Sequence, residues 1–199
     1  MTNTTRTEAG AVDLVGDETV RNLARAATFA ALMGAFAYVS FPNPLAPGVP
    51  VTLQVLGVFL AGILLGPVWG AIAMLFYLVA GALGVPVFAG GTAGPGVLLA
   101  GPTLGYLWSY PIAAGVVGLV VHRGATLRDH GEASLPTLVG AMVLGTVIIY
   151  ALGTLGFAFV QDVSLGRAFV ASALAFVPFE AVKIAAAIGI VRSDALAAA

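Results

Sequence analysis

Cysteine is absent and lysine occurs once. Without thiols the chain can form neither a disulfide nor a thiolate metal site. Charge of either sign is scarce: Asp, Glu, Lys and Arg make up 9% of the 199 residues, where a soluble domain carries about 25%. So few charges cannot clothe a water-facing surface, and with 60% of residues apolar the solvent for most of the chain is lipid. The net charge is −1 and no basic stripe runs along the sequence, which excludes a nucleic-acid partner. The phosphate-binding pattern GxxxxGKS/T is missing, as are HExxH and GxSxG, so an enzyme, and an ATPase in particular, has no motif to rest on. Two histidines, His122 and His130, fall in an arginine-bearing loop and are expected to be solvated rather than catalytic.

What remains is a set of long apolar runs. A helix crossing the bilayer needs roughly 17–25 mostly apolar residues. Residues 20–41 supply the first and end at Pro42-Asn43-Pro44, where a helix is hard to continue. Residues 51–66 and 67–83 supply two shorter ones joined by a tight turn at Gly66-Pro67. Residues 102–121, 136–160 and 167–191 supply three more, the last with Pro178 inside it. The expected fold is therefore an all-α integral membrane protein, a multi-pass bundle of six transmembrane helices in the cell membrane. Residues 1–19, with Glu8, Asp13, Asp17 and Glu18 and no helical apolar period, read as a mobile aqueous tail. Residues 20–192 form the membrane domain and 193–199 a short C-terminal tail. The start has neither the basic segment nor the early apolar core of a cleavable signal. With six spans both termini share one side. That side collects Arg6, Arg21, Arg25, Arg123, Arg128 and Arg192 against Arg167 alone on the other, so both termini are expected to be cytoplasmic.

Two loops on the opposite side are unusually apolar. Residues 42–50 are proline-rich and uncharged, and residues 84–101 read GVPVFAGGTAGPGVLLAG. Irregular backbone of this kind is tolerated at a membrane where protein buries it or it lines a cavity, which marks these loops as a lid or wall. A plain hairpin among lipid headgroups is the simpler alternative. Inside the last span lie Glu180 and Lys183, the single lysine. Every other charged residue falls in the tail, in a loop or near a helix end. A charge at mid-membrane costs about 2.5–3.5 kcal/mol on insertion scales, and a spacing of three puts both side chains on one helical face. A salt bridge that merely fixes packing is the bland reading. Desolvation makes such a bridge a poor stabiliser, and intramembrane charge is by default a functional feature. Pro178 either kinks this helix or starts a new one whose free N–H groups face the cavity.

Small residues recur every fourth position on the first span at Ala27, Ala31 and Ala35, a stripe that lets another helix approach closely, inside the bundle or from a second membrane subunit. Gly62, Gly66 and Gly70 show the same period, but Pro67 interrupts it and weakens the signal.

Three stretches then resemble the biotin-specific substrate-binding (S) component of energy-coupling factor (ECF) transporters, the BioY family. They are PVTLQ at residues 50–54, GVPVFAGG followed by GPTLGY across 84–106, and PFEAVK at 178–183. The likeness runs over residues 25–190. The family usually has Gly where Leu104 stands and Asp where Glu180 stands. The resemblance implies a six-helix bundle that takes biotin from the outer side, uses no cofactor or metal, and has no ATPase of its own. It implies docking on a membrane-embedded coupling (T) subunit attached to two cytoplasmic ATPases, with Ala27, Ala31 and Ala35 at that contact. Biotin offers a ureido group with two N–H donors and a carbonyl, an apolar bicycle and a carboxylate tail. Glu180 can accept from the ureido N–H, and Lys183 can donate to its carbonyl or meet the tail carboxylate. Phe88 and Tyr106 are candidates to cover the rings, unless they are membrane-interface aromatics. Gln54 and Thr92 are candidates for neutral polar contacts, although Gln54 could merely cap a helix. A self-sufficient ion-coupled carrier, with Glu180 as its titrating group, is the competing class. Such carriers commonly show two related halves, and no internal repeat is evident. An intramembrane enzyme is a third class, lacking the groups it would need.

Overall fold

The computed structural model describes residues 16–43 and 49–193. Helix α1, Asp17–Tyr38, begins with two acidic residues in its first turn, where they complement the partial positive charge of the helix start. Of the expected 1–19 tail, residues 1–15 lie outside the described part, as do Arg6 and residues 194–199. Ala26, Met33, Gly34 and Ala37 bury one stripe of α1, while Ala27, Ala31 and Ala35 stay exposed. The helix stops three residues short of the expected Phe41. Pro42 disfavours helical backbone at Phe41, and Ser40–Phe41 (β1) instead pairs antiparallel with Val51–Thr52 (β2).

Helix α2, Gln54–Ala82, is broken at Gly66, whose φ of 77° and ψ of −179° leave the helical region. Glycine reaches that φ without a steric cost, and Pro67 is suited to a first helical turn because it has no N–H to leave unpaired. The chain reverses there: a Cβ at Gly70 would stand 2.8 Å from the Ala61 carbonyl oxygen, whereas a straight helix separates residues nine apart by about 13.5 Å. The expected turn at Gly66-Pro67 thus makes α2 a hairpin of two half-helices. The glycine series across the turn carries more than its interrupted period suggested. A Cβ at Gly62 would lie 2.5 Å from the Ala114 oxygen, and one at Gly118 2.5 Å from the Pro67 nitrogen. Backbones approach here as only glycine permits.

A 3-10 turn at Ala89–Gly91 and the short helix α3, Pro95–Ala100, fill the apolar loop after α2. Helix α4, Leu104–Val121, packs between α2 and helix α5, Leu135–Gln161. Ser134 caps α5 by accepting the Thr137 N–H at 3.3 Å, and Asp162 ends it in the left-handed region at φ 50°. The last apolar run is two helices rather than one: α6, Leu165–Ser172, then a 3-10 turn at Leu174–Phe176, then α7, Val177–Val191. Of the two roles open to Pro178, the structure takes the second, a fresh helix start.

The outside of this bundle is apolar. Val68, Leu75, Val79, Ile112, Val147, Val182 and, at 84% exposure, Phe159 point away from the core, far more than a water-soluble surface carries in one band. Among the described residues four helical stretches are long and apolar enough to cross a membrane: Gln54–Ala82, Leu104–Val121, Leu135–Gln161 and Leu165–Val191.

One end of the bundle is held by a histidine the sequence reading left in solvent. His122 is fully buried. Its Nδ1 accepts the Arg128 N–H at 3.1 Å, which leaves Nε2 to donate to the Ile63 carbonyl at 2.9 Å. Ile63 lies in the last turn before Gly66, where carbonyls lack helical partners. The imidazole supplies that partner and ties the α2 turn to the loop after α4.

Candidate ligand-binding cavity

Because Pro178 sits in the first turn of α7, Glu180 falls in that turn and Lys183 one turn further along the same face. Both are buried, at 3% and 4% exposure. Lys183 Nζ donates to Glu180 Oε1 at 2.6 Å, and the Tyr150 hydroxyl of α5 donates to the same oxygen at 2.7 Å. Glu180 Oε2 is buried with no hydrogen-bond partner among the described residues. A carboxylate in low dielectric is stabilised by its ion pair, its phenolic donor and the helix start, yet one of its oxygens is left unpaired. Of the three donors on the ammonium, one is committed to Glu180.

A cavity opens beside this pair. Its wall is formed by Val49, Pro50 and Thr52 at the β-hairpin, Gln54 at the start of α2, Ala89 in the apolar loop, Thr103, Tyr106, Leu107 and Tyr110 on α4, Tyr150 on α5, and Phe176 and Lys183. Most of its polar side chains are already oriented. Gln54 accepts from Thr52 Oγ1 at 2.9 Å and donates to the Tyr77 hydroxyl at 2.5 Å. The Tyr106 hydroxyl donates to the Ser172 carbonyl at the end of α6. Tyr106 and Tyr150 meet edge to face with centroids 5.9 Å apart, and Tyr150 lies 5.8 Å from the Phe176 ring. The result is an aromatic chamber with a carboxylate, an ammonium and a carboxamide at its edge, chemically matched to a flat apolar body and a polar head with both donors and acceptors, whose walls must part to admit it because the enclosed volume is about 40 Å³.

The cavity lies at one end of the bundle. Gln54 and Tyr106 are at the starts of α2 and α4, and the Tyr38 hydroxyl at the end of α1 donates to the Pro86 carbonyl at 2.7 Å, closing the same end. Arg123 and Arg128 are at the other end, beside the His122 clasp, and Arg192 there donates to the Ala133 carbonyl.

Of the residues the sequence singled out, the structure brings Gln54, Tyr106 and Lys183 to the cavity, with Glu180 in contact with two lining side chains. Phe88 stands one layer behind. It is fully buried, its ring packed over Gly81 and edge-on to Tyr77 at 5.4 Å, so it backs the tyrosine that holds Gln54. Thr92 is exposed. Its hydroxyl donates to the Ala89 carbonyl at 3.1 Å, and its carbonyl accepts the Phe88 N–H at 3.1 Å, which fastens the loop next to the lining residue Ala89. Ala27, Ala31 and Ala35 are remote from the cavity, along an apolar outer groove shared with Phe76, Ala80 and Val87. Sequence reasoning missed Tyr110, Tyr150 and Thr52. Tyr110 had a signal, since it stands four residues after Tyr106 and so on the same helical face. Tyr150 had none: an aromatic within an apolar run reads as core until its partner in space is known.

Comparison with known proteins agrees with this chemistry. The model of the BioY family matches residues 4–198. A biotin transporter BioY from Rhodobacter capsulatus is 45% identical over 145 residues, covering 73% of this chain and 73% of the relative. Another, from Rhizobium etli, is 38% identical over 178 residues, covering 85% of this chain and 91% of the relative. Among solved structures, the S-component for biotin from an ECF-type ABC transporter superposes with a TM-score of 0.78 at 25% identity, over 90% of this chain and 93% of that one.

Proposed function

The chain belongs to the BioY family, and from that premise we propose that the cavity beside Glu180 and Lys183 is where it holds its ligand. The protein is a multi-pass membrane protein and a biotin-binding transport subunit, the S component of an ECF-type transporter. The observation that carries the site assignment is the buried Glu180 oxygen that has no donor among the described residues, next to an ammonium with one of its three donors committed there. A ureido group is complementary to that pair: its N–H donates to Oε2 while its carbonyl accepts from Lys183. Tyr106, Tyr110 and Phe176 then flank the bicycle, and Gln54 supplies a fixed carboxamide for the remaining polar edge. Phe88 and Thr92 act from behind, keeping Tyr77 and Ala89 in place.

The chain crosses the bilayer six times, counting the halves of α2 separately and α6 with α7 as one broken span. Both termini are cytoplasmic and the cavity faces outward. The gathering of Arg123, Arg128 and Arg192 at the end opposite the cavity supports this orientation, since cytoplasmic loops carry the excess of Arg and Lys. The binding domain begins with α1 at Asp17, earlier than the expected residue 20, and runs to residue 192. Lacking a nucleotide-binding motif, the protein takes its energy from partners: a membrane coupling subunit seated on Ala27, Ala31 and Ala35, and two cytoplasmic ATPases attached to it. Titration of the detergent-solubilised protein with biotin tests the assignment. Saturable binding in the nanomolar range is expected, and absence of measurable binding would refute it.

A further inference from the structure

We infer that Tyr150 is a positioning residue that decides which oxygen of Glu180 is offered to the ligand, an inference that rests on the site assignment above. A carboxylate paired with a lysine alone can turn and share both oxygens with the ammonium. Here the Tyr150 hydroxyl, 2.7 Å from Oε1, and Lys183 Nζ, 2.6 Å from the same atom, commit both donors to one oxygen. Among the described residues Oε2 stays buried and unpartnered as a consequence. An unpaired buried carboxylate oxygen is costly, and the arrangement persists because Tyr150 is itself held. Its ring is packed edge to face on Tyr106 and against Phe176, so the hydroxyl is placed by two helices and a turn rather than by its own rotamer freedom. Tyr150 also lines the cavity. The hydroxyl therefore keeps Oε2 free and aimed for a ligand N–H, and pre-orders the acceptor before the ligand arrives.

The test is a double-substitution cycle on the full chain in detergent, with biotin as the probe. Tyr150→Phe preserves the ring contacts and removes only the hydroxyl. It is expected to weaken biotin binding about tenfold or more. In a Glu180→Met background the same change should cost less than about twofold, because no acceptor oxygen remains for the hydroxyl. Tyr150→Phe should also lessen the preference for biotin over an analogue methylated on the ureido nitrogen, a ratio that a packing role would leave alone. If Tyr150→Phe does not fold, Tyr150→Met removes the hydroxyl with a more adaptable side chain and the cycle is run with it. Equal costs in both backgrounds would reduce Tyr150 to a packing residue and overturn the inference. Wild-type affinity in Tyr150→Phe would overturn it too, leaving the site assignment intact. No binding by the unsubstituted protein would overturn both.

Discussion

At the level of single residues, the charge pattern alone marks out the proposed site. Glu180 and Lys183 stand out because nothing else charged lies inside an apolar run, and both are buried. The two changes that separate binding from stability follow from their pairing. Glu180→Gln and Lys183→Ala should each weaken biotin binding by about 3–5 kcal/mol, since each strands the other's charge in low dielectric; isothermal titration measures it. Replacing both at once, Glu180→Gln with Lys183→Met, should recover thermal stability in detergent while binding stays lost. Recovery of binding as well would mean that the pair only fixes packing. His122 shows where one-dimensional reading fails. Its neighbours His130, Arg123 and Arg128 make the segment look solvated, but the Ile63 carbonyl that needs a donor is 59 residues away in sequence. His122→Ala removes that donor and the acceptor for Arg128 N–H. It should lower the melting temperature while folded protein still binds biotin, because the clasp and the cavity lie at opposite ends of the bundle.

The elements were legible where proline and glycine punctuate them and illegible where tertiary contact decides. Gly66-Pro67 announced a turn and Pro178 either a kink or a fresh helix start, and the structure has the turn and the start. The two-residue strands Ser40–Phe41 and Val51–Thr52 leave no periodicity to read. Where the interval between α6 and α7 falls, upstream of Pro178, was equally hidden, because an apolar run does not show where a side chain claims a carbonyl. Here Tyr106 claims that of Ser172. Glycine at the α2–α4 crossing gives a test at this scale. A methyl at Gly118 would meet the backbone of Pro67, which cannot yield, so Gly118→Ala should sharply reduce the amount of folded protein recovered from membranes. Gly140, on an open face of α5 with nothing near its Cβ position, is the control: Gly140→Ala should be neutral or stabilise by up to about 1 kcal/mol. Similar losses at both positions would show that the crossing is looser than the described backbone.

For the whole molecule, composition settled the solvent and the lengths of the apolar runs the helical class, but neither could say which exposed apolar face meets lipid and which meets protein. The groove along Ala27, Ala31 and Ala35 is distinguished by its small residues, which let a partner helix approach more closely than the Leu, Val and Phe of the other faces. Ala31→Trp should abolish uptake in cells that supply the coupling module and leave the biotin Kd of the isolated protein within about twofold. A shift in Kd instead would tie the groove to the cavity. Orientation is the remaining property of the molecule as a whole, and the absence of cysteine allows a clean measurement, since any labelled thiol is an introduced one. Thr126 and Ser164 are exposed on loops at opposite ends, the first beside the His122 clasp and the second between α5 and α6. In intact cells a membrane-impermeant maleimide should modify Ser164→Cys and spare Thr126→Cys, and after lysis it should modify both. The arginines at the Thr126 end require this pattern if charge bias sets insertion. The reverse pattern would turn the cavity toward the cytoplasm, and a pocket facing that way could not capture a vitamin from outside.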